Sequence, residues 1–327
     1  PWVVSDALAL IATGHLKDDA FFYSTLAERV LAEGFFSLDG VTETNGFQPL
    51  WMAILVCLNA LIPDASSLGL LRGMSWFFYL AGCAATVWLI TQRATLFQAL
   101  IRVALVGGLV LLNRRFQDLV VEGLEVPLAM TLLVGTLCAL PSLRRALTAD
   151  EARPLGQVMA AAGVGVLGAL VFFGRTDLFW FAGLLTLWVL RCSAGRPRLP
   201  VVTAVTTATL VMPYLAHNLL SQGSLVPVSG RVKVHFMEQF LLANNRSYWS
   251  SDEWHGPISL FQSWLPITDI TFAAVILMVG LLACFVVLWK DRRSVHLPEG
   301  LVVLACLALL HLIYMVFLYG EVRPYTN

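Results

Sequence analysis

The chain has 327 residues, of which 58% are hydrophobic and only 13% charged, with a formal net charge of zero and a mean hydropathy of +0.77. Soluble domains carry about 25% charged residues, so this composition excludes an ordinary soluble enzyme and points to an all-α multispanning membrane protein. A balance of zero offers no basic surface to nucleic acid. The six cysteines (Cys57, Cys83, Cys138, Cys192, Cys284, Cys306) lack C-x-x-C spacing and read as small hydrophobes, not as disulfides or metal ligands.

In chain order, residues 1–14 read as the tail of a first span. The sequence is expected to be a fragment that lacks most of that helix and further C-terminal helices. Asp18 and Asp19 follow at the membrane boundary, and a charge misplaced at the bilayer centre costs about 2.5–3.5 kcal/mol. Phe21, Phe22, Leu26, Val30 and Leu31 then recur at helical spacing with Glu28 and Arg29 facing away, which predicts an amphipathic helix along the interface. The run Thr44-Asn45-Gly46-Phe47-Gln48-Pro49-Leu50-Trp51 is a turn that feeds an aromatic side chain. Residues 49–62 are apolar but too few to span, which predicts an interfacial or re-entrant helix.

Spans are expected at about 67–91, 97–113, 126–141, 154–173, 178–191, 199–220, 270–289 and 299–319 by the length and apolarity that a bilayer requires. Three domains result: a transmembrane catalytic module at 1–220, a long polar loop at 221–269, and further transmembrane helices at 270–327. Loops rich in Arg and Lys at 143–153, 191–198 and 290–293 alternate with segments 114–125, 174–177 and 221–269. The positive-inside rule places the basic loops in the cytoplasm. With 49–62 not crossing, segments 15–66, 114–125, 174–177, 221–269 and 320–327 gather on the external face.

That face collects the chemistry. A carboxylate beside an acceptor hydroxyl takes its proton as general base, and a second orients the group or holds a metal. Asp18 and Asp19 suit that pair. Glu122 and Glu125, three residues apart, share a helical face and with Asp177 form a second acidic cluster for an acceptor or a metal, or else simply cap a helix start. Arg175, Arg231, Lys233 and Arg323 are candidates for binding a phosphate. Arg175 and Asp177 read equally as a local ion pair closing a short loop, and Arg231 and Lys233 as contacts to lipid headgroups.

The pattern Asp18-Asp19-Ala20-Phe21-Phe22-Tyr23, followed by Thr44-Asn45-Gly46-Phe47-Gln48-Pro49-Leu50-Trp51, resembles the first external loop of GT-C superfamily glycosyltransferases. It is most similar to bacterial arabinofuranosyl- and mannosyl-transferring types. Glu122-Gly123-Leu124-Glu125-Val126-Pro127-Leu128 is similar to a further acidic run of these enzymes, with Val126 where threonine is usual. Gly174-Arg175-Thr176-Asp177 and the 222–233 segment resemble two later elements.

The resemblance covers roughly residues 15–235. It implies a GT-C helical bundle with a seven-helix core, in a plasma or inner membrane. It also implies a polyprenyl-phosphate-linked sugar donor, a glycan, lipid or protein acceptor, and an extracytoplasmic active site that inverts the anomeric centre. Asp18 is then the expected base with Asp19 its partner, or the reverse, and Asn45, Gln48 and Trp51 line a substrate loop. No metal is assigned, although Mg or Mn has a place beside the acids. The rival reading is a transporter or flippase of lipid-linked saccharides. Transporters carry ionisable groups at mid-membrane, whereas here such groups collect at one face.

Overall fold

The computed structural model describes residues 18–91, 95–98, 100, 103–104, 120–148, 154–193, 195–225, 227 and 228. The expected first span, most of 97–113, most of the 221–269 loop, the two last spans, and Arg231, Lys233 and Arg323 lie outside the described residues. Among the described residues there is no strand, and seven helices have full bounds. These are α1 (Asp18–Glu33), α2 (Pro49–Leu61), α3 (Ser67–Thr91), α4 (Val126–Thr148), α5 (Pro154–Gly174), α6 (Phe179–Cys192) and α7 (Arg198–Gln222), with a 3-10 turn at Thr176–Leu178. Four of them, α3, α4, α5 and α7, are long and apolar enough to cross a membrane. The chain is an all-α membrane protein.

Helix α1 begins on two acids, which favour the positive end of the helix dipole. Its buried stripe is Ala20, Tyr23, Ser24, Leu26 and Ala27, a spacing of three and four residues. This corrects the expected apolar face: Phe21 and Phe22 only flank the stripe, and Leu31 is exposed. Small Ala20 and Ala27 allow close approach, and the Tyr23 hydroxyl finds polar partners inside. Gly34, at φ +84°, ends the helix and donates its N–H to the Val30 carbonyl at 3.0 Å.

A tight turn follows. The Asp39 carboxylate accepts from the N–H groups of Thr42 and Val41 and from the Ser37 hydroxyl. These donors, Thr42 first, hold its pKa well below the usual carboxylate range. Pro49 then starts α2 with its φ already fixed for a helix. The 13 residues of α2 reach about 20 Å, short of the roughly 30 Å of hydrocarbon. The helix buries Trp51, Met52 and Leu55 and packs against α1, α3 and α5.

The long helices touch through small residues, as expected where lipid supplies no hydrophobic drive between helices. Thr203 and Thr207 of α7 donate to the carbonyls of Ala161 and Gly165 on α5, each at 3.0 Å. A Cβ built on Gly165 would lie 2.6 Å from the Thr203 carbonyl oxygen, so the two backbones require glycine there. Helix α4 runs through Pro141 to Thr148 instead of stopping near 141; prolines are tolerated inside membrane helices. Helix α6 has the 14 residues of the expected span, shifted by one, and Thr176–Leu178 winds before it as a separate 3-10 turn.

Helices α1 and α2 cap one end of this bundle. There α3 and α4 begin and α5 and α7 finish. Ser67, at the start of α3, donates to the Ser24 carbonyl and accepts from Asn59 of α2, which ties the three helices together.

Candidate functional site

Tyr23 lies at the centre of that end. It is 6% exposed, donates its hydroxyl to Glu125 Oε2 at 3.3 Å and accepts the Gln48 N–H at 3.2 Å. Gln48 in turn accepts the Thr176 N–H on its side-chain oxygen at 2.9 Å. One tyrosine therefore links the first helix, the entry to α2 and the turn before α4, and Gln48 extends the link to the turn after α5. The partners stand 102, 25 and 128 residues apart.

Arg175 completes the cluster. Its Nε and Nη2 donate to the two oxygens of Asp177 at 3.0 and 2.8 Å, a fork-to-fork pairing. Its Nη1 stands 3.5 Å from Glu125 Oε1. Burial works against the guanidinium charge, but Asp177 and then Glu125 outweigh it and raise its pKa. Of the two readings of Arg175, the local ion pair is the one this geometry matches. The expected phosphate contact is corrected to that extent, since three of its nitrogens already face carboxylates.

The acidic pair reaches the same place. Asp19 is exposed in the first turn of α1, one turn before Tyr23, and its charge is among those that raise the Tyr23 pKa. The side chain of Asp18 lies outside the described residues. Glu122 is 4% exposed on the turn that also carries Glu125. Asn45 is buried and accepts the Val228 N–H at 2.9 Å, which brings the segment after α7 onto the first loop. Gln222 and His217 of α7 reach the same loop at Glu43.

Trp51 is a correction. The structure buries it completely and sets its ring 6.2 Å from that of Phe78. It is a packing residue and lines no substrate loop. Its position on the inner face of the first turn of α2 is the reason.

Among the described residues, no group of three or more His, Cys, Asp or Glu is placed to hold a metal ion. Glu125 and Asp177 already share Arg175. Among the described residues, which do not include the Asp18 side chain, the donor set does not fit Mg or Mn.

Two residues were missed. Tyr23 sits four residues after Asp19, which is the spacing of one helix face. Arg72 is the lone charged residue in the apolar run of α3, and its place inside a span was itself the signal.

Beside the Arg175 turn, a groove of about 360 Å³ opens between α5, α6 and α7, lined by Phe172, Phe179, Ala182, Gly183, Ala208 and Met212 among others. Its walls are almost entirely apolar, so it suits a hydrocarbon chain and no polar ligand.

Two tests of this architecture follow. Burial first, then the Glu125 charge, push the Tyr23 pKa well above the ordinary 10.0. A raised folded pKa leaves its stabilising contribution whole below the unfolded value and removes it as pH climbs towards the folded one. Tyr23→Phe is therefore expected to lose less stability than wild type as pH rises above about 10, read as the difference between their melting temperatures.

The second test concerns Gly123, at φ +73° and packed so that a Cβ would meet Leu71 Cδ2 at 2.9 Å. Gly123→Ala is expected to destabilise by roughly 1–2 kcal/mol from backbone strain alone, measured as a lower melting temperature in detergent.

No protein-family model, curated protein or solved structure matches the chain.

Proposed function

We propose that the protein is an integral membrane glycosyltransferase of GT-C type. It moves a sugar from a polyprenyl-phosphate carrier to a hydroxyl of an extracytoplasmic glycan, lipid or protein, with inversion. The observation that carries this reading is the gathering of Asp19, Glu125, Asp177 and Arg175 at one end of the bundle, beside an apolar groove. Polar chemistry and a place for a lipid chain stand next to each other. The motif resemblance of residues 18–23 and 44–51 adds the reaction class.

In this reaction the acceptor oxygen attacks the anomeric carbon while the bond from that carbon to the carrier phosphate breaks. The transition state is oxocarbenium-like, as in glycoside hydrolysis. Phosphate leaves readily, so no general acid is required. One of Asp18 and Asp19 takes the acceptor proton, and the other holds the acceptor in line. Arg175 holds Glu125 and Asp177 in place, and Tyr23 positions Glu125 through its hydroxyl. The donor phosphate needs a cation aimed at the leaving oxygen. Arg231, Lys233 and Arg323 are the candidates proposed from sequence.

The alternative is a flippase of lipid-linked saccharides, which would need ionisable groups at mid-membrane, whereas Arg72 is buried near the start of α3. A single assay separates the two. Purified protein in liposomes is given a radiolabelled polyprenyl-phosphate sugar and a soluble acceptor. The proposal expects labelled acceptor and free polyprenyl phosphate. Labelled lipid that crosses the bilayer with its sugar still attached would replace transferase by flippase.

A further inference from the structure

An arginine inside a membrane span normally snorkels its head to the surface or meets a carboxylate. Arg72 does neither among the described residues. It lies on the second turn of α3, is 2% exposed, and neither Nε nor Nη2 has a hydrogen-bond partner. Ser67 starts the helix five residues earlier, which sets Arg72 about 7–8 Å inside the span. Counted from a helix start at the membrane surface, that is about the depth at which headgroup phosphates give way to hydrocarbon.

A second donor shares its face. Trp76 stands four residues on, hence directly beside Arg72 along the helix. Its indole Nε1 is likewise buried without a partner among the described residues. The 120–125 segment runs over this face: Trp76 packs with Tyr79 and Val120, Ser75 donates to the Leu124 carbonyl at 3.4 Å, and a Cβ on Gly123 would lie 3.6 Å from Arg72 Cγ. Glu125, which holds Arg175, is on that same segment. Arg72 thus carries a cation close to the cluster in which the Arg175 charge is already answered by carboxylates.

We propose that Arg72 and Trp76 form a phosphate-binding site whose ligand is the phosphate ester of a membrane lipid. A guanidinium fork matches two phosphate oxygens at once, and the indole N–H supplies a third hydrogen bond. Water-soluble anions are disfavoured by the depth of the site, whereas a lipid brings its phosphate there. The inference rests on the lipid-phosphate part of the proposed function and on no step of sugar transfer.

The test is thermal unfolding of the full-length protein in a maltoside detergent, which carries no phosphate. Farnesyl phosphate, phosphatidylglycerol and inorganic phosphate are added in separate arms. Wild type is expected to gain several degrees with the prenyl phosphate. Arg72→Met is expected to melt at or above the wild-type temperature without ligand, because it removes an unanswered buried charge, and to lose the gain. Arg72→Lys keeps a point charge and part of the gain, and Trp76→Phe weakens binding by roughly tenfold.

An equal gain with phosphatidylglycerol supports the site and makes its occupant a bilayer lipid. A gain with inorganic phosphate alone would overturn the lipid assignment. A ligand-free Arg72→Met protein several degrees below wild type would make Arg72 structural, and an unchanged gain in that variant, or no gain in wild type, would remove the site. Binding through Arg72 in a protein that transfers no sugar would sink the transferase reading and leave this one standing.

Discussion

Arg175→Met is expected to be among the most destabilising single changes in the described part of the chain. It leaves Glu125 and Asp177 facing each other, with the Tyr23 hydroxyl, buried at 6% exposure, donating to one of them. Breaking a fully buried ion pair by removing one partner costs about 3–5 kcal/mol. Here the guanidinium side chain is 31% exposed and its carboxylates 12% and 17%, so solvent takes up part of that penalty and about 2–3 kcal/mol is expected. The check is a triple mutant. Arg175→Met combined with Glu125→Gln and Asp177→Asn should recover most of the lost melting temperature, because the orphaned charges go with their partner. A single Arg175→Met variant as stable as wild type would mean that the network contributes nothing to the fold.

Asp18→Asn and Asp19→Asn carry the largest expected effect on activity. Each keeps the size of the side chain and the first turn of α1, while removing the ability to accept a proton. General-base catalysis contributes roughly 10²–10⁴-fold, and the variant of the true base should lose a factor in that range in the liposome transfer assay. The other should lose less and show it mainly in KM for the acceptor. Asp19 is exposed, so little stability should change with its replacement. Wild-type rates in both variants would remove the aspartate base from the mechanism altogether.

The long helices were legible because lipid imposes a single rule along their whole length. Ser67–Thr91 has the bounds that apolar composition alone predicts, and Pro154–Gly174 departs by one residue. The meeting of segments around 19–48, 122–125 and 175–177 was also anticipated, through charge parity and not through any knowledge of packing. What composition could not supply was orientation about a helix axis. The face of α1 is decided by Tyr23, and its partners come from the entries to α2 and α4, so nothing within 18–33 announces it. Trp51 failed for the same reason, because an aromatic at a helix start reads alike whether it faces lipid, substrate or core. Arg72 carries none of the loop context in which arginine is common, and its isolation inside α3 is the informative fact.

The four spanning helices differ in length. Helix α5 has 21 residues against 25 in α3, 23 in α4 and 25 in α7. At about 1.5 Å per residue that is roughly 31 Å for α5 and roughly 38 Å for α3 and α7. Hydrophobic mismatch therefore falls first on α5, whose last residue, Gly174, is followed at once by Arg175. A bilayer thicker than about 32 Å draws that end inward and carries Arg175 and Asp177 towards hydrocarbon, while the longer helices adjust by changing tilt. Through α5, membrane thickness becomes a variable that acts on the charged cluster itself.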